Sequence, residues 1–372
     1  MKKVLVIAGT RPEAVKLAPV VHELRRWPED FVVHLCSSGQ HQTMLEQTLA
    51  DFDLRPDSSL KVMTGNQTLS GLSARLFAEV DNVLDVLSPD VVIVQGDTTT
   101  VQVSALCAFY RRIPVGHVEA GLRTWNLGSP FPEELNRRVV GLAARWHYAP
   151  TELARQNLLA ERIRSEDVLV TGNTVIDALY MTLDDVRRHP PLLPPRIEAA
   201  LAQEGPVILV TGHRRESFGD GFMRICAALK RIAVVLPHVR IIYPVHLNPN
   251  VHAPVSEMLG DVPNIYLEDP FPYKAFVRLM DASTLILTDS GGIQEEGPSL
   301  NKPVLIMRDT TERPEGIEAG VNLLVGTDTQ RIFDEVAGLV CNPEHIAKMQ
   351  ETANPYGDGN AAQRIAAHLR MQ

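Results

Sequence analysis

Apolar residues along the chain fall into short β-branched runs separated by longer amphipathic stretches, and the two kinds alternate. Runs at 4–8, 32–36, 60–63, 91–94 and 115–118 have the length and Val/Ile content of buried strands, and shorter ones follow near 146–148 and 168–170. Between them, apolar positions recur at helical spacing over 14–25, 44–49, 74–87 and 101–110; in the first, Val15, Leu17, Ala18, Val21 and Leu24 predict a buried face. The pattern then restarts. It predicts strands at 207–210, 239–243, 264–267, 284–288, 303–307 and 322–325, and helices at 222–235, 273–280 and 293–300. Strands that are apolar throughout are covered on both faces, so the alternation predicts parallel sheets flanked by helices. The expected fold class is α/β: two doubly wound Rossmann-like domains, with ligands at the carboxyl ends of the strands in an interdomain cleft. The stretch 189–195, His-Pro-Pro-Leu-Leu-Pro-Pro, suits neither regular helix nor central strand, and on composition it marks the domain boundary. A last amphipathic helix is predicted over 363–369.

Composition narrows the class without changing this picture. The length of 372 residues exceeds one typical core, which agrees with two domains. A net charge of −9 argues against a nucleic-acid partner, but leaves room for a small anion held by a few local Arg and Lys residues. Cys36, Cys107, Cys226 and Cys341 are far apart and form no CxxC pair, so they read as small buried residues of a reducing compartment. The first apolar run is cut by Arg11, Pro12 and Glu13, which makes it a strand and not a signal peptide. No run is long enough to cross a membrane, so the expected location is the cytoplasm.

Candidate chemistry clusters at the predicted strand ends. After the strand at 284–288, Asp289-Ser290-Gly291-Gly292 turns sharply into a helix. Glycine lets backbone approach a ligand, and free N–H groups at a helix start attract an anion. Glu296, one to two turns further on, could grip a vicinal diol such as ribose. The first strand is followed by Gly9-Thr10-Arg11-Pro12-Glu13, which is not a GxGxxG turn, so no nicotinamide dinucleotide is implied and no cofactor is expected. Arg11 there, with Lys16 a turn later, suits a diphosphate. Asp97 follows the strand at 91–94, where an isolated Asp more often simply caps the next helix. Glu119 ends an apolar strand between His117 and Arg123, a costly place for a carboxylate without a purpose. Glu133 also fits an ordinary helix start. His213, beside Arg214 and Arg215, is suited to proton exchange, and His246 lies at a similar strand end. No spacing suggests a metal site. Three carboxylates, one or two histidines and an anion site together suit proton transfer on a substrate with a phosphate leaving group.

The motifs that carry these residues resemble those of a known family. GTRPE (9–13), GDTTT (96–100), HVEAGLRT (117–124), PFPEE (130–134), TGNTVIDAL (171–179), TGHRRESFG (211–219), YPVHLNPNV (243–251), DSGGIQEE (289–296) and RDTTERPE (308–315) occur in order over almost the whole chain. Together they resemble the non-hydrolysing UDP-N-acetylglucosamine 2-epimerases. The resemblance implies a GT-B-like pair of domains: residues 1–172, joined by a C-terminal helix at 357–372 that packs back on them, and a UDP-binding domain at 173–356. It implies interconversion of UDP-GlcNAc and UDP-ManNAc for polysaccharide biosynthesis, by loss and re-addition of UDP through a 2-acetamidoglucal. Asp97, Glu119, Glu133 and His213 resemble the catalytic groups, and the motifs leave open which carboxylate removes the C2 proton. Arg11, Lys16, Ser290, Gly291, Gly292, Glu296 and Arg313 resemble the UDP-sugar contacts, with Glu296 on the ribose. Phe276 resembles the residue whose backbone meets uracil, whereas Phe271 stands where some relatives have a polar residue. Gln40, His41, Arg214 and His246 are compatible with a second, activating UDP-GlcNAc. Thr43 and Asn66 replace residues that such relatives use there, so weak or altered activation is expected. A homodimer is implied, with a UDP-sugar substrate and neither nucleic acid nor membrane as partner. The rival readings are a GT-B glycosyltransferase, a hydrolysing epimerase and a non-catalytic UDP-sugar sensor.

Overall fold

The computed structural model describes residues 1–39, 42–63, 67–212 and 219–372. The chain divides into two compact units, Met1–Met181 with Tyr356–Gln372, and Thr182–Pro355. The first holds a seven-stranded sheet of β1 (Lys2–Ala8), β2 (Phe31–Ser37), β3 (Ser58–Ser59), β4 (Val91–Gln95), β5 (Val115–Val118), β6 (Trp146–Ala149) and β7 (Val168–Val170). Every pairing is parallel, in the order β3-β2-β1-β4-β5-β6-β7. The second unit holds β8 (Val207–Thr211), β9 (Arg240–Pro244), β10 (Ile265–Glu268), β11 (Leu285–Thr288), β12 (Val304–Ile306) and β13 (Asn322–Leu324). They too are all parallel, in the order β10-β9-β8-β11-β12-β13. The fold is therefore α/β with two Rossmann-like units. The apolar runs end up in the cores because helices shield both faces of each sheet: Leu5, Val92, Ile93, Ile208, Leu209, Ile286 and Leu287 have no exposed surface.

Both sheets reverse direction once, between β1 and β4 and between β8 and β11. At such a reversal the following connections leave toward opposite faces, and a crevice opens beyond the carboxyl ends of the two strands. That geometry singles out the turns after β1 and β4 in one unit, and after β8 and β11 in the other. In the second, Thr288 lies beside Thr211 in register, and their hydroxyls are 2.6 Å apart.

Several sequence expectations differ from the structure. The strand predicted at 60–63 is replaced by the two residues Ser58–Ser59, which pair with Cys36 and Ser37. β2 ends at Ser37, so the ladder has no partner beyond it; Leu60 and Val62 are buried against the helices of the first unit instead. The proline-rich stretch is no boundary. It lies inside the second unit, where Arg278 Nη1 donates to the Pro191 carbonyl (2.7 Å) and the Leu193 N–H to Glu198 (3.2 Å). Proline excludes regular structure without excluding packing. The cut at 172/173 likewise precedes the division, which falls after Met181 inside the helix Thr174–Arg188. The start of that helix is held by the returning chain: Asp177 accepts from the N–H groups of Ala361 (3.2 Å) and Ala362 (2.8 Å), the first turn of the helix Ala361–Met371. Cys36, Cys107 and Cys226 are buried, whereas Cys341 is exposed, and all four are free thiols. Among the described residues, no helix is long and apolar enough to cross a membrane.

Candidate active site

The turn after β1 leads into the helix Arg11–Arg25, with Arg11 half-buried at its first position. Glu13 sits in the first turn, 2% exposed, and turns back on the chain. Its carboxyl accepts from the Gly9 N–H (3.0 Å) and from the Thr98 hydroxyl (2.8 Å), which belongs to the turn after β4. One side chain thereby ties together both turns of the switch point. Gly9 permits this closeness, since a Cβ there would lie 2.7 Å from Thr100 Oγ1. Burial pushes the Glu13 carboxyl up from 4.5 to about 7, against the pull of its hydrogen bonds to Thr10, Thr98 and Gly9.

Lys16, on the same helix, reaches Glu119 at 2.5 Å. Glu119 follows β5 and is 9% exposed. Its carboxylate also accepts from the side-chain amides of Gln95, at the end of β4, and of Asn173 (3.1 Å). Its backbone lies in the left-handed region, at φ 62°. A non-glycine residue held there costs about 1–3 kcal/mol and persists where its surroundings over-determine it, often at functional positions. The two neighbours expected to flank Glu119 point elsewhere. His117 Nε2 bonds to the Gly96 carbonyl (2.8 Å), and burial drives its imidazole down to about 3, so it is neutral near pH 7. Arg123 pairs with Glu161 at 3.0 and 2.7 Å.

The capping alternative for Asp97 is resolved by its neighbour. Thr98 is the N-cap of the helix Thr99–Tyr110 and accepts from the Val101 N–H. The Asp97 side chain instead bonds to Arg137, and its carbonyl accepts from Asn136 Nδ2 (2.8 Å). Asn136 and Arg137 belong to the helix Glu133–Ala143, three and four residues beyond Glu133 and on the same face. Glu133 therefore begins the face that docks on Asp97. The adjacent Glu134 is wholly buried in a structural role, accepting from the N–H groups of Thr124 (3.0 Å) and Trp125 (3.1 Å) and from Arg137 (3.2 Å).

In the second unit, β11 leads into the helix Gly291–Ser299. Ser290 is its N-cap residue, yet its side chain makes no capping bond. The Arg313 guanidinium lies directly over this first turn: a Cβ on Gly291 would stand 2.7 Å from Nη1 and 3.0 Å from Cζ. Glu295 anchors Arg313 from the same helix, with Nε to Oε1 at 2.5 Å, and Glu312 lies 3.5 Å from Nη1. A held guanidinium over a helix start whose Ser side chain does not cap it is a diphosphate-shaped arrangement of donors. Glu296, 6% exposed, accepts from the Tyr273 hydroxyl (2.7 Å). Phe276 is half-buried on the helix Tyr273–Ala282, its N–H bonded to the Pro272 carbonyl (2.9 Å). His246 is exposed after β9, where its Nδ1 accepts from the Asn248 N–H (3.1 Å). The expected roles of Gln40, His41, His213 and Arg214 lie outside the described residues, as does that of Asn66. Among the described residues, no group of three or more His, Cys, Asp or Glu side chains could hold a metal ion.

Comparison with known proteins identifies the family. The family model for UDP-N-acetylglucosamine 2-epimerase matches residues 22–370. The chain belongs to the UDP-N-acetylglucosamine 2-epimerase family. It is 51% identical to the UDP-N-acetylglucosamine 2-epimerase of Yersinia pestis over 370 residues, which cover 99% of this chain and 98% of that protein. Among solved structures it is similar to the UDP-GlcNAc 2-epimerase of Neisseria meningitidis bound to UDP-GlcNAc (45% identity, TM-score 0.89, all of both chains). It is also similar to the Methanocaldococcus jannaschii enzyme in complex with UDP-GlcNAc and UDP (32% identity, TM-score 0.79, all of both chains).

Within this epimerase-family chain, residues that carried no role in the sequence reading touch the candidate groups: Gln95 and Asn173 on Glu119, Asn136 and Arg137 on Asp97, Tyr273 on Glu296 and Glu295 on Arg313. Most lie in or beside a motif that was recognised. None announces itself, because an Arg on a helix or an Asn before one is commonplace, and only the partner across the fold distinguishes it.

Proposed function

We propose that the chain interconverts UDP-GlcNAc and UDP-ManNAc by eliminating and re-adding UDP. C2 of the sugar has no adjacent carbonyl, so its proton is not acidic enough for direct removal. Breaking the C1–O bond to UDP while a base takes the C2 proton leaves a C1=C2 double bond, the 2-acetamidoglucal. Protonation of C2 from the other face and attack of the UDP oxygen on C1 then give the epimer. Ser290, Gly291, Gly292 and Arg313 are assigned to the departing diphosphate, Glu296 to the ribose diol and Phe276 to uracil. Arg11 and Lys16 are assigned to the UDP-sugar, and Asp97, Glu119, Glu133 and His213 to the proton transfers. Positioned acids and bases contribute about 10²–10⁴-fold each. Electrostatic holding of the leaving group adds to that.

The observation that carries the reading is Glu119. A buried carboxylate in left-handed backbone, braced by Lys16, Gln95 and Asn173, is more than nucleotide binding alone requires. This speaks against a UDP-sugar sensor. Incubation with UDP-GlcNAc in D₂O, followed by NMR, tests it. Deuterium at C2 and a UDP-ManNAc signal with the diphosphate linkage intact are expected. Glycoside formation, free ManNAc or no turnover would each overturn the proposal, in favour of transfer, hydrolysis or sensing. A cytoplasmic homodimer is part of the same reading, and sedimentation equilibrium at one protomer mass would remove the dimer from it.

A further inference from the structure

Asn173 is joined to three parts of the first unit at once. Its Oδ1 accepts from the Val175 N–H (3.1 Å), capping the helix Thr174–Arg188. Its Nδ2 donates to Glu119 Oε1 (3.1 Å), and its N–H donates to the Tyr356 carbonyl (2.8 Å), where the chain returns from the second unit's sequence. Asn173 is 2% exposed, so it is out of reach of bulk water. The contact with the returning segment is close. Gly172 has φ 87°, and a Cβ there would lie 3.2 Å from the Gly357 Cα. The peptide that carries Asn173 is therefore fixed by backbone on one side and by its own helix cap on the other.

The helix cap needs only an acceptor oxygen, which Asp or Ser would supply as well as Asn. The amide donor is the part that a cap does not explain, and it is spent on Glu119. We infer that Asn173 is a positioning residue for the reaction, holding the Glu119 carboxylate by one hydrogen bond while the returning segment at Tyr356–Gly357 holds Asn173. The inference rests on the assignment of Glu119 to proton transfer. Lys16 from the first helix and Gln95 from β4 also bond to this carboxylate, while His117 from β5, bonded to the Gly96 carbonyl, is neutral near pH 7. Asn173 adds its hydrogen bond from the side of the C-terminal crossing.

Asn173→Asp separates the two roles. It keeps the cap oxygen and adds a charge that the helix start favours, but it replaces the donor with a carboxylate beside Glu119. Loss of a donor and gain of a like charge both raise the pH at which a carboxylate ionises. Asn173→Ser keeps a capping oxygen but is too short to reach Glu119, and it carries no charge. Steady-state kinetics of UDP-GlcNAc epimerisation across pH 5–9, with thermal melts, provide the test. Expected for both variants is a kcat at least tenfold below wild type with KM within about threefold. For Asn173→Asp, the acid limb of the kcat/KM profile should also move to higher pH. Wild-type kcat and an unmoved acid limb in Asn173→Asp would overturn the inference, because the cap alone would then account for Asn173. If Asn173→Asp does not fold, Asn173→Ser decides by the same kcat criterion. Should wild type show no C2 exchange, the assignment of function fails instead, and the two failures are distinct.

Discussion

Replacing Gly291 with alanine places a methyl group 2.7 Å from Arg313 Nη1, 3.0 Å from Cζ and 3.3 Å from Nη2. All three atoms are the far end of one flexible side chain, so the guanidinium swings aside and the backbone stays. Alanine is also the better helix former, by up to about 1 kcal/mol in a helix interior and less at a first turn. The variant should therefore fold, with a melting temperature within a few degrees of wild type. What it loses is the placement of Arg313 over the helix start, including its 2.5 Å contact with Glu295. A hydrogen bond to a charged group is worth about 1.5–3 kcal/mol. Losing one to the diphosphate should raise the Kd for UDP by about 10–150-fold. Isothermal titration of UDP into wild type, Gly291→Ala, Arg313→Ala and the double variant measures this. The two single effects should overlap, so that the double variant binds little worse than Arg313→Ala. A Kd for Gly291→Ala within twofold of wild type would refute the claim that Arg313 and the Ser290–Gly292 turn form one anion anchor.

Glu119→Gln and Asp97→Asn should each leave UDP affinity nearly unchanged and cut turnover at least about a hundredfold, the low end for a positioned acid or base; near-normal turnover in either would remove that residue from the chemistry. The Glu13 carboxyl is raised from 4.5 to about 7 by burial, so the folded state holds its proton more tightly than the unfolded one. Its contribution to stability is complete below pH 4.5 and is lost as pH rises through 7, by at most about 3 kcal/mol. Denaturant unfolding of wild type relative to Glu13→Gln should show that decline across this window, and a constant difference would contradict it. Asp177→Ala leaves the Ala361 and Ala362 N–H groups without their acceptor and should destabilise the first unit by about 1–2 kcal/mol, as loss of a helix cap does. An unchanged chemical denaturation midpoint would show that the helix Ala361–Met371 docks without it.

Much of this molecule is written locally. Among the described residues, the β-branched runs predict twelve of the thirteen strands, because a strand buried on both faces must be apolar throughout, whatever its neighbours. The glycine turns and charged residues at strand ends mark the carboxyl edges of both sheets for the same reason, since that edge follows from strand direction alone. Asp97 was legible as chemistry or as a helix cap, and the prolines at 189–195 were legible only as a boundary. The tertiary structure decided those cases, together with the short β3, the division inside the helix Thr174–Arg188, and the partners of Glu119. Hydrophobic burial depends on periodicity, which a few neighbouring residues define. A buried charge depends on particular donors, and here residues 16, 95 and 173 become neighbours of Glu119 only once the sheet order and the C-terminal crossing have brought them there.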